Sequence, residues 1–275
     1  MPILRTFELG IIALYLLATL LYFIGVIRQR DRLKTLAQTL AVTGFGLHTI
    51  DLVLVFFRPG TPAITQGQFY ISLLAWTFLA IYFLLWRKLK LEFLALTAAP
   101  LALLLFTSSM AVTTERLAVP SKLSSLWFGL HVGTFFLSIA LLAMAFGAGI
   151  VYLYVDKKIK TKAKLSALNK DMPALTSVDM ANRWAVMLGF PLYTLGLFAG
   201  FAWARFTWGR IFSWDPKEII SLVIWFLFAY LFHQRLVMNW TGRKPAKLAI
   251  WIFILTIVSL WGVNFLLPTH HSLQP

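Results

Sequence analysis

Residues 126–155 read LWFGLHVGTFFLSIALLAMAFGAGIVYLYV, an unbroken run without a single Asp, Glu, Lys or Arg. As helix it extends roughly 45 Å at 1.5 Å per residue, more than the ~30 Å of hydrocarbon in a bilayer, so it must tilt or protrude. Seven further apolar runs of spanning length lie at 9–27, 36–57, 67–86, 93–112, 184–203, 219–238 and 248–267. The sequence therefore predicts an all-α, polytopic membrane protein of about eight transmembrane helices, with 1–275 forming a single integral membrane domain. Composition points the same way. Of 275 residues 60% are hydrophobic and 13% charged, with a mean hydropathy of +0.79, whereas soluble domains carry about 25% charged residues. A soluble enzyme and a disordered tail are both excluded. The first run follows Arg5 and Glu8 and lacks a small-residue cleavage site, so it reads as a retained span and not as a removed leader.

Charge sets the expected orientation. Lys+Arg number 25 against 10 Asp+Glu, a formal net charge of +15. Segments 28–34, 87–90, 156–183 and 235–247 hold 18 of these cations, and the opposite connections hold 7. The positive-inside rule then places both termini outside and the basic segment 156–183 in the cytoplasm, against the anionic lipids of the inner leaflet. Spread over short loops on one face, these cations give no support for nucleic-acid binding. The chain has no cysteine, so disulfides, thiolate metal sites and thiol redox chemistry are absent.

Ionisable groups within spans are costly and mark functional sites by default. His48 and Asp51 stand at i and i+3 on the second span, a spacing that allows them to pair. His233 lies near the inner end of the seventh span, and Arg235 is placed to snorkel to the cytoplasmic headgroups. His131 and the His270–His271 pair come from the outer ends of two other spans. The densest feature is the external stretch 203–218, with Trp203, Arg205, Phe206, Trp208, Arg210, Phe212 and Trp214. Asp215 as N-cap, Pro216 at the first helical position and Glu218 at the third predict a capping box opening the seventh span. An interfacial aromatic belt accounts for scattered tryptophans at span ends; it accounts less well for a compact Trp/Phe loop that carries two arginines. Flat apolar faces beside guanidinium groups suit a planar ligand bearing carboxylates. Histidines from neighbouring span ends make haem the natural candidate, with imidazoles on its iron.

The order Trp208-Gly209-x4-Trp214-Asp215-Pro216-Lys217-Glu218, Ser221-Leu222-x2-Trp225, His233-x-Arg235, Trp240-x-Gly242-Arg243, Gly262-Val263-Asn264 and His271-Ser272 resembles the tryptophan-rich, or WWD-domain, haem-handling proteins. It resembles in particular the CcsA/ResC-type branch of System II cytochrome c biogenesis. A weaker likeness extends back through Leu130-His131-Val132 and Gly189-Phe190-Pro191, so that 126–275 is the CcsA/WWD-like region, with 203–218 as its external loop. The first 120 residues agree mainly in hydropathy. Family members usually carry tryptophan where Phe212 and Ile220 stand, and tyrosine where Leu273 stands.

The resemblance implies a haem-handling and export subunit of a cytochrome c synthase, at most the haem-presenting part of a thioether-forming lyase. It would hold non-covalent haem b for attachment to apocytochrome c, beside a CcsB/ResB-like membrane partner. The implied localisation is the bacterial inner membrane, with the WWD loop facing the periplasm. His131 and His271 match the family's external iron ligands and His233 its in-membrane histidine. Trp203, Trp208 and Trp214 would lie against the face of the haem, with Arg205 and Arg210 near its propionates, and Asp215 is expected among the haem-binding residues. The roles of His48, Asp51 and His270 stay open. Two rivals remain at this stage: a HemX-like membrane regulator of tetrapyrrole synthesis, and a haem b electron-transfer subunit, which the differing depths of His48 and His233 disfavour.

Overall fold

The computed structural model describes residues 2–28, 30–58, 67–89, 92–110, 122–161 and 173–263. Among them the regular structure is helical: α1 (Pro2–Ile27), α2 (Asp31–Phe56), α3 (Gly67–Leu89), α4 (Ala95–Ser109), α5 (Lys122–Lys160), α6 (Leu175–Trp208), α7 (Pro216–Leu236) and α8 (Arg243–Ile257). A 3-10 turn, Glu92–Leu94, leads into α4, and a π-helical stretch, Val258–Val263, continues α8. The chain is an all-α polytopic membrane protein, as its hydropathy predicts. Six helices, α1, α2, α3, α5, α6 and α7, are long and apolar enough to cross a membrane. The fourth run is shorter than predicted, since α4 has 15 residues with Pro100 inside it; the eighth begins earlier, at Arg243, and stays helical to Val263, its geometry changing after Ile257. Outward faces carry Phe198, Phe226 and Trp251, each more than half exposed, as lipid-facing positions require.

Two compact units divide the chain, Met1–Leu117 with Val155–Pro173, and Ala118–Tyr154 with Ala174–Pro275. In the first, α1 packs on α2 and α4, and α3 packs on α2 and α4. Small residues permit the closest approach. Ala37, Ala41 and Gly44 of α2 are buried, and a Cβ on Gly44 would lie 2.8 Å from the ring of Tyr15. His48, fully buried, bridges three helices: Tyr15 Oη lies 3.0 Å from its Nδ1 and Ser72 Oγ 2.9 Å from its Nε2. Both ring nitrogens are thereby taken, and the expected pairing of His48 with Asp51 does not form. The i, i+3 spacing allows that pair, but hydroxyl partners on α1 and α3 win the imidazole.

In the second unit α5 and α6 run antiparallel and are joined by three polar rungs. His131 Nδ1 donates to Gly196 O at 2.8 Å, Ser138 Oγ to Gly189 O at 2.8 Å, and Asn182 Nδ2 to Ala145 O at 2.7 Å. Positions 131, 138 and 145 on one helix face 196, 189 and 182 on the other, a seven-residue repeat on both. That is the period at which two packed helices keep one seam in register. The last rung meets a buried ion pair. Arg235 of α7, 0% exposed, places its two Nη atoms 3.0 Å from the two carboxylate oxygens of Asp179. It also donates to Asn182 Oδ1 and to Trp240 O, while Asp179 Oδ1 accepts Gly242 N–H at 3.0 Å. Arg235 therefore does not snorkel to the headgroups. The cause is that α6 starts at Leu175, which makes Asp179 a helical counter-charge and not part of the basic loop.

Candidate functional site

α6 extends past the predicted apolar run to Trp208, and Gly209 ends it with φ +73°, a left-handed conformation that glycine adopts without a Cβ penalty. Only 209–215 is loop, so Trp203, Arg205 and Trp208 belong to the final turns of α6. Across the loop the predicted capping box is present. Asp215 Oδ1 accepts Lys217 N–H at 2.8 Å, while Glu218 Oε2 accepts Asp215 N–H at 3.4 Å and Ser213 N–H at 2.8 Å. Asp215 and Glu218 are buried by this work. Replacing Asp215 with alanine is expected to cost about 1 kcal/mol of stability through the lost cap, read as a fall in thermal midpoint.

The residue just before this cap is unusual. Trp214 has φ +62°, a backbone region that non-glycine residues enter rarely and that gathers at functional sites. The result is an indole 77% exposed, steadied by an edge contact to Phe212 at 5.2 Å. Phe212 in turn meets Phe201 edge-on at 6.1 Å.

Beneath the loop, α5, α6, α7 and the π-helical stretch enclose a cavity of about 200 Å³, lined by His131, Trp203, Trp208, Lys217, Ser221 and Ser259 among others. His131 reaches it with its chemistry already set. Gly196 O can only accept, so Nδ1 carries the proton and Nε2 keeps its lone pair, with no hydrogen-bond partner for Nε2 among the described residues. Histidines that bind metals hold their other ring nitrogen in this way. The ring fits because α6 is bare beneath it: a Cβ on Gly200 would come 2.6 Å from His131 Nδ1, and one on Gly196 would come 2.3 Å from Phe135. Trp203 lies near-parallel to the imidazole, at 6.4 Å and 16°, and also touches Phe128 and Trp208. Gly200→Ala is expected to cost about 1–3 kcal/mol by overpacking and to displace His131, read as a lower thermal midpoint in protein that still folds.

Of the residues singled out from sequence, His131, Trp203 and Trp208 share this cavity. Trp214 and Arg210 stand exposed on the loop, and Arg205 turns back to donate to Gly209 O, closing the helix end. His233 sits exposed in the last turn of α7, roughly 24 Å along the helix from Lys217 at 1.5 Å per residue. It belongs to a different level from His131. His271 and His270 lie outside the described residues. Sequence reasoning gave no role to Gly196, Gly200, Lys217 or the Ser138 and Asn182 rungs. The signal for most of them was the seven-residue spacing that links positions 131, 138 and 145.

Fold and site together define a polytopic α-helical membrane protein with an imidazole and clustered indoles at the mouth of a helix bundle. Residues 67–271 match the family described as cytochrome C assembly protein. The chain belongs to that family, and its role lies in cytochrome c maturation. Its relatives include proteins named cytochrome c biogenesis protein CcsA. That of Pyropia yezoensis is 30% identical, with 94% of this chain and 93% of the relative covered. That of Guillardia theta is 29% identical over 94% and 92%. That of Gloeobacter violaceus reaches 44% identity over a shorter stretch, 39% of this chain and 31% of the relative.

Proposed function

We propose that this chain presents haem b at the outer face of the membrane for covalent attachment to apocytochrome c. The observation that carries the reading is the His131 imidazole, pinned through Nδ1 to Gly196 O with Nε2 left for iron. The cavity behind it is smaller than the 300–1,000 Å³ typical of cofactor pockets. The residues thus fit a flat ligand resting against the indoles at the rim, and not one swallowed whole. His131 would hold the iron from one side, and His271 is the proposed second ligand. Trp203, Trp208 and Trp214 would lie against the macrocycle; Arg210 would pair with its propionates, and Arg205, which donates to Gly209 O, would do so through its remaining N–H groups. Asp215 would serve this site by fixing the start of α7.

Haem would supply the iron and the vinyl groups that become thioethers. The chain, lacking cysteine, supplies position, iron ligation and exclusion of water, while the thiols come from the apocytochrome. His233, far along α7, would act as an in-membrane ligand on the route outward, with a CcsB/ResB-like membrane protein as partner. The charge asymmetry supports an outward-facing WWD loop, placed in a bacterium in the periplasm and at the inner membrane.

The test is genetic and spectroscopic. Deletion is expected to abolish c-type cytochromes, and the chain purified with its partner is expected to show a bis-imidazole haem spectrum. Deletion that leaves c-type cytochromes intact while changing tetrapyrrole levels would replace this reading with the HemX-like one, to which the Phe212, Ile220 and Leu273 departures lend support.

A further inference from the structure

The N-terminal unit buries acidic groups that the haem site does not use. Asp51 of α2 is 3% exposed, and its Oδ1 is sealed from solvent with no hydrogen-bond partner. It lines a cavity of about 40 Å³ together with Glu8 of α1, Ser72 of α3 and Ser109 of α4. Glu8 is also buried. A carboxylate taken out of water loses several kcal/mol of hydration unless it is paired, and in practice such a group is neutralised.

The neighbours do not supply that neutralisation. His48, one turn back on α2, spends both ring nitrogens on Tyr15 and Ser72. Arg58, two residues past the end of α2, lines the cavity, and Arg5 of α1 acts on Glu8; both are exposed, and no ion pair to Asp51 forms among the described residues. From α3 the cavity receives Ser72 and Gln68, and from α4 only the Ser109 hydroxyl, which is already committed to Phe106 O at 2.7 Å. No set of three or more metal-ligating side chains gathers among the described residues. The volume suits about one water, whose share of liquid is ~30 Å³. Ser72 joins this cavity to His48 and Tyr15 through hydroxyl and imidazole groups that can each reverse donor and acceptor.

We propose that Asp51 and Glu8 form a proton-binding site, holding one proton between two carboxylates at the end of the first unit where α1 begins, with Ser72, His48 and Tyr15 as a short hydrogen-bonded chain behind it. The proton comes from water on that side and returns there. The site is independent of the haem reading and would make the N-terminal unit sensitive to acidity on that face.

The test uses the full chain in nanodiscs, in sodium-free buffer. A proton held by the folded chain and released on unfolding gives stability that is lost as pH rises. The thermal midpoint of the wild type is expected to fall by roughly 3 °C per pH unit between about pH 5 and 8, and Asp51→Asn is expected to flatten that slope. Glu8→Gln, which brings an amide donor to the cavity, should flatten it too. Infrared spectra of the wild type should show the carbonyl stretch of a protonated carboxylic acid, assigned by aspartate isotope labelling. That assignment needs no variant and stands even where Asp51→Asn fails to fold. A flat wild-type profile with no such band overturns the proposal. So does a midpoint that responds to sodium at fixed pH in the wild type but not in Asp51→Asn, which would make the ligand a metal cation.

Discussion

His131→Ala is expected to lower haem retention by more than about tenfold, given that even loss of a partner behind a metal ligand costs about 10- to 100-fold. Maturation of c-type cytochromes should fall with it. The argument rests on geometry: Nδ1 is consumed by Gly196 O, Nε2 is the atom left to a ligand, and no other imidazole of the described residues lines this cavity. The loss should be specific. His131→Ala also removes one hydrogen bond of the α5–α6 seam, worth about 1 kcal/mol, so the protein should still fold and insert. His131→Gly supplied with free imidazole should regain haem absorbance, a rescue that a purely structural role would not give. Full haem content and full maturation in His131→Ala would show that iron is held elsewhere.

The second large effect concerns stability. Asp179→Ala leaves the fully buried Arg235 guanidinium without its counter-charge and strips Gly242 N–H of its acceptor. Breaking a buried pair from one side typically costs about 3–5 kcal/mol, a large share of a stability that is about 5–15 kcal/mol in all. The check is the yield and thermal midpoint of the chain in detergent. Asp179→Leu combined with Arg235→Met should recover much of the loss, since no charge is then stranded. A single Asp179→Ala variant as stable as the wild type would mean that water reaches Arg235.

How far the sequence could be read follows from where each signal resides. Hydropathy made the helices visible, and the WDPKE stretch announced its own capping box because both partners lie within one turn. The ends of α6 were hidden. Its N-terminal turns are polar enough to pass for cytoplasmic loop, and its last turn was masked by the aromatic density that drew attention to the loop. The partners of His48 and Arg235 were illegible for a related reason. Tyr15, Ser72 and Asp179 are far away in sequence and gave no local clue, so intrahelical spacing suggested Asp51 for the first, and a position near the end of a span suggested lipid headgroups for the second. His131 was visible as a candidate, but what makes it competent, the Gly196 carbonyl and the bare surface of Gly200, involves a main-chain atom and a missing side chain.

The three rungs between α5 and α6 turn the position of His131 into a matter of counting. Each acceptor is a backbone carbonyl, so the pairing is written in spacing and not in the identity of the residue opposite. One residue inserted into α5 between Ser138 and His131 would swing the imidazole about 100° around its helix and strand it against lipid, although every named residue would still be present. Seven inserted into both helices at matched points would keep the seam and only move the site outward. For this chain, the integer separating these positions matters to the site as much as the imidazole it carries.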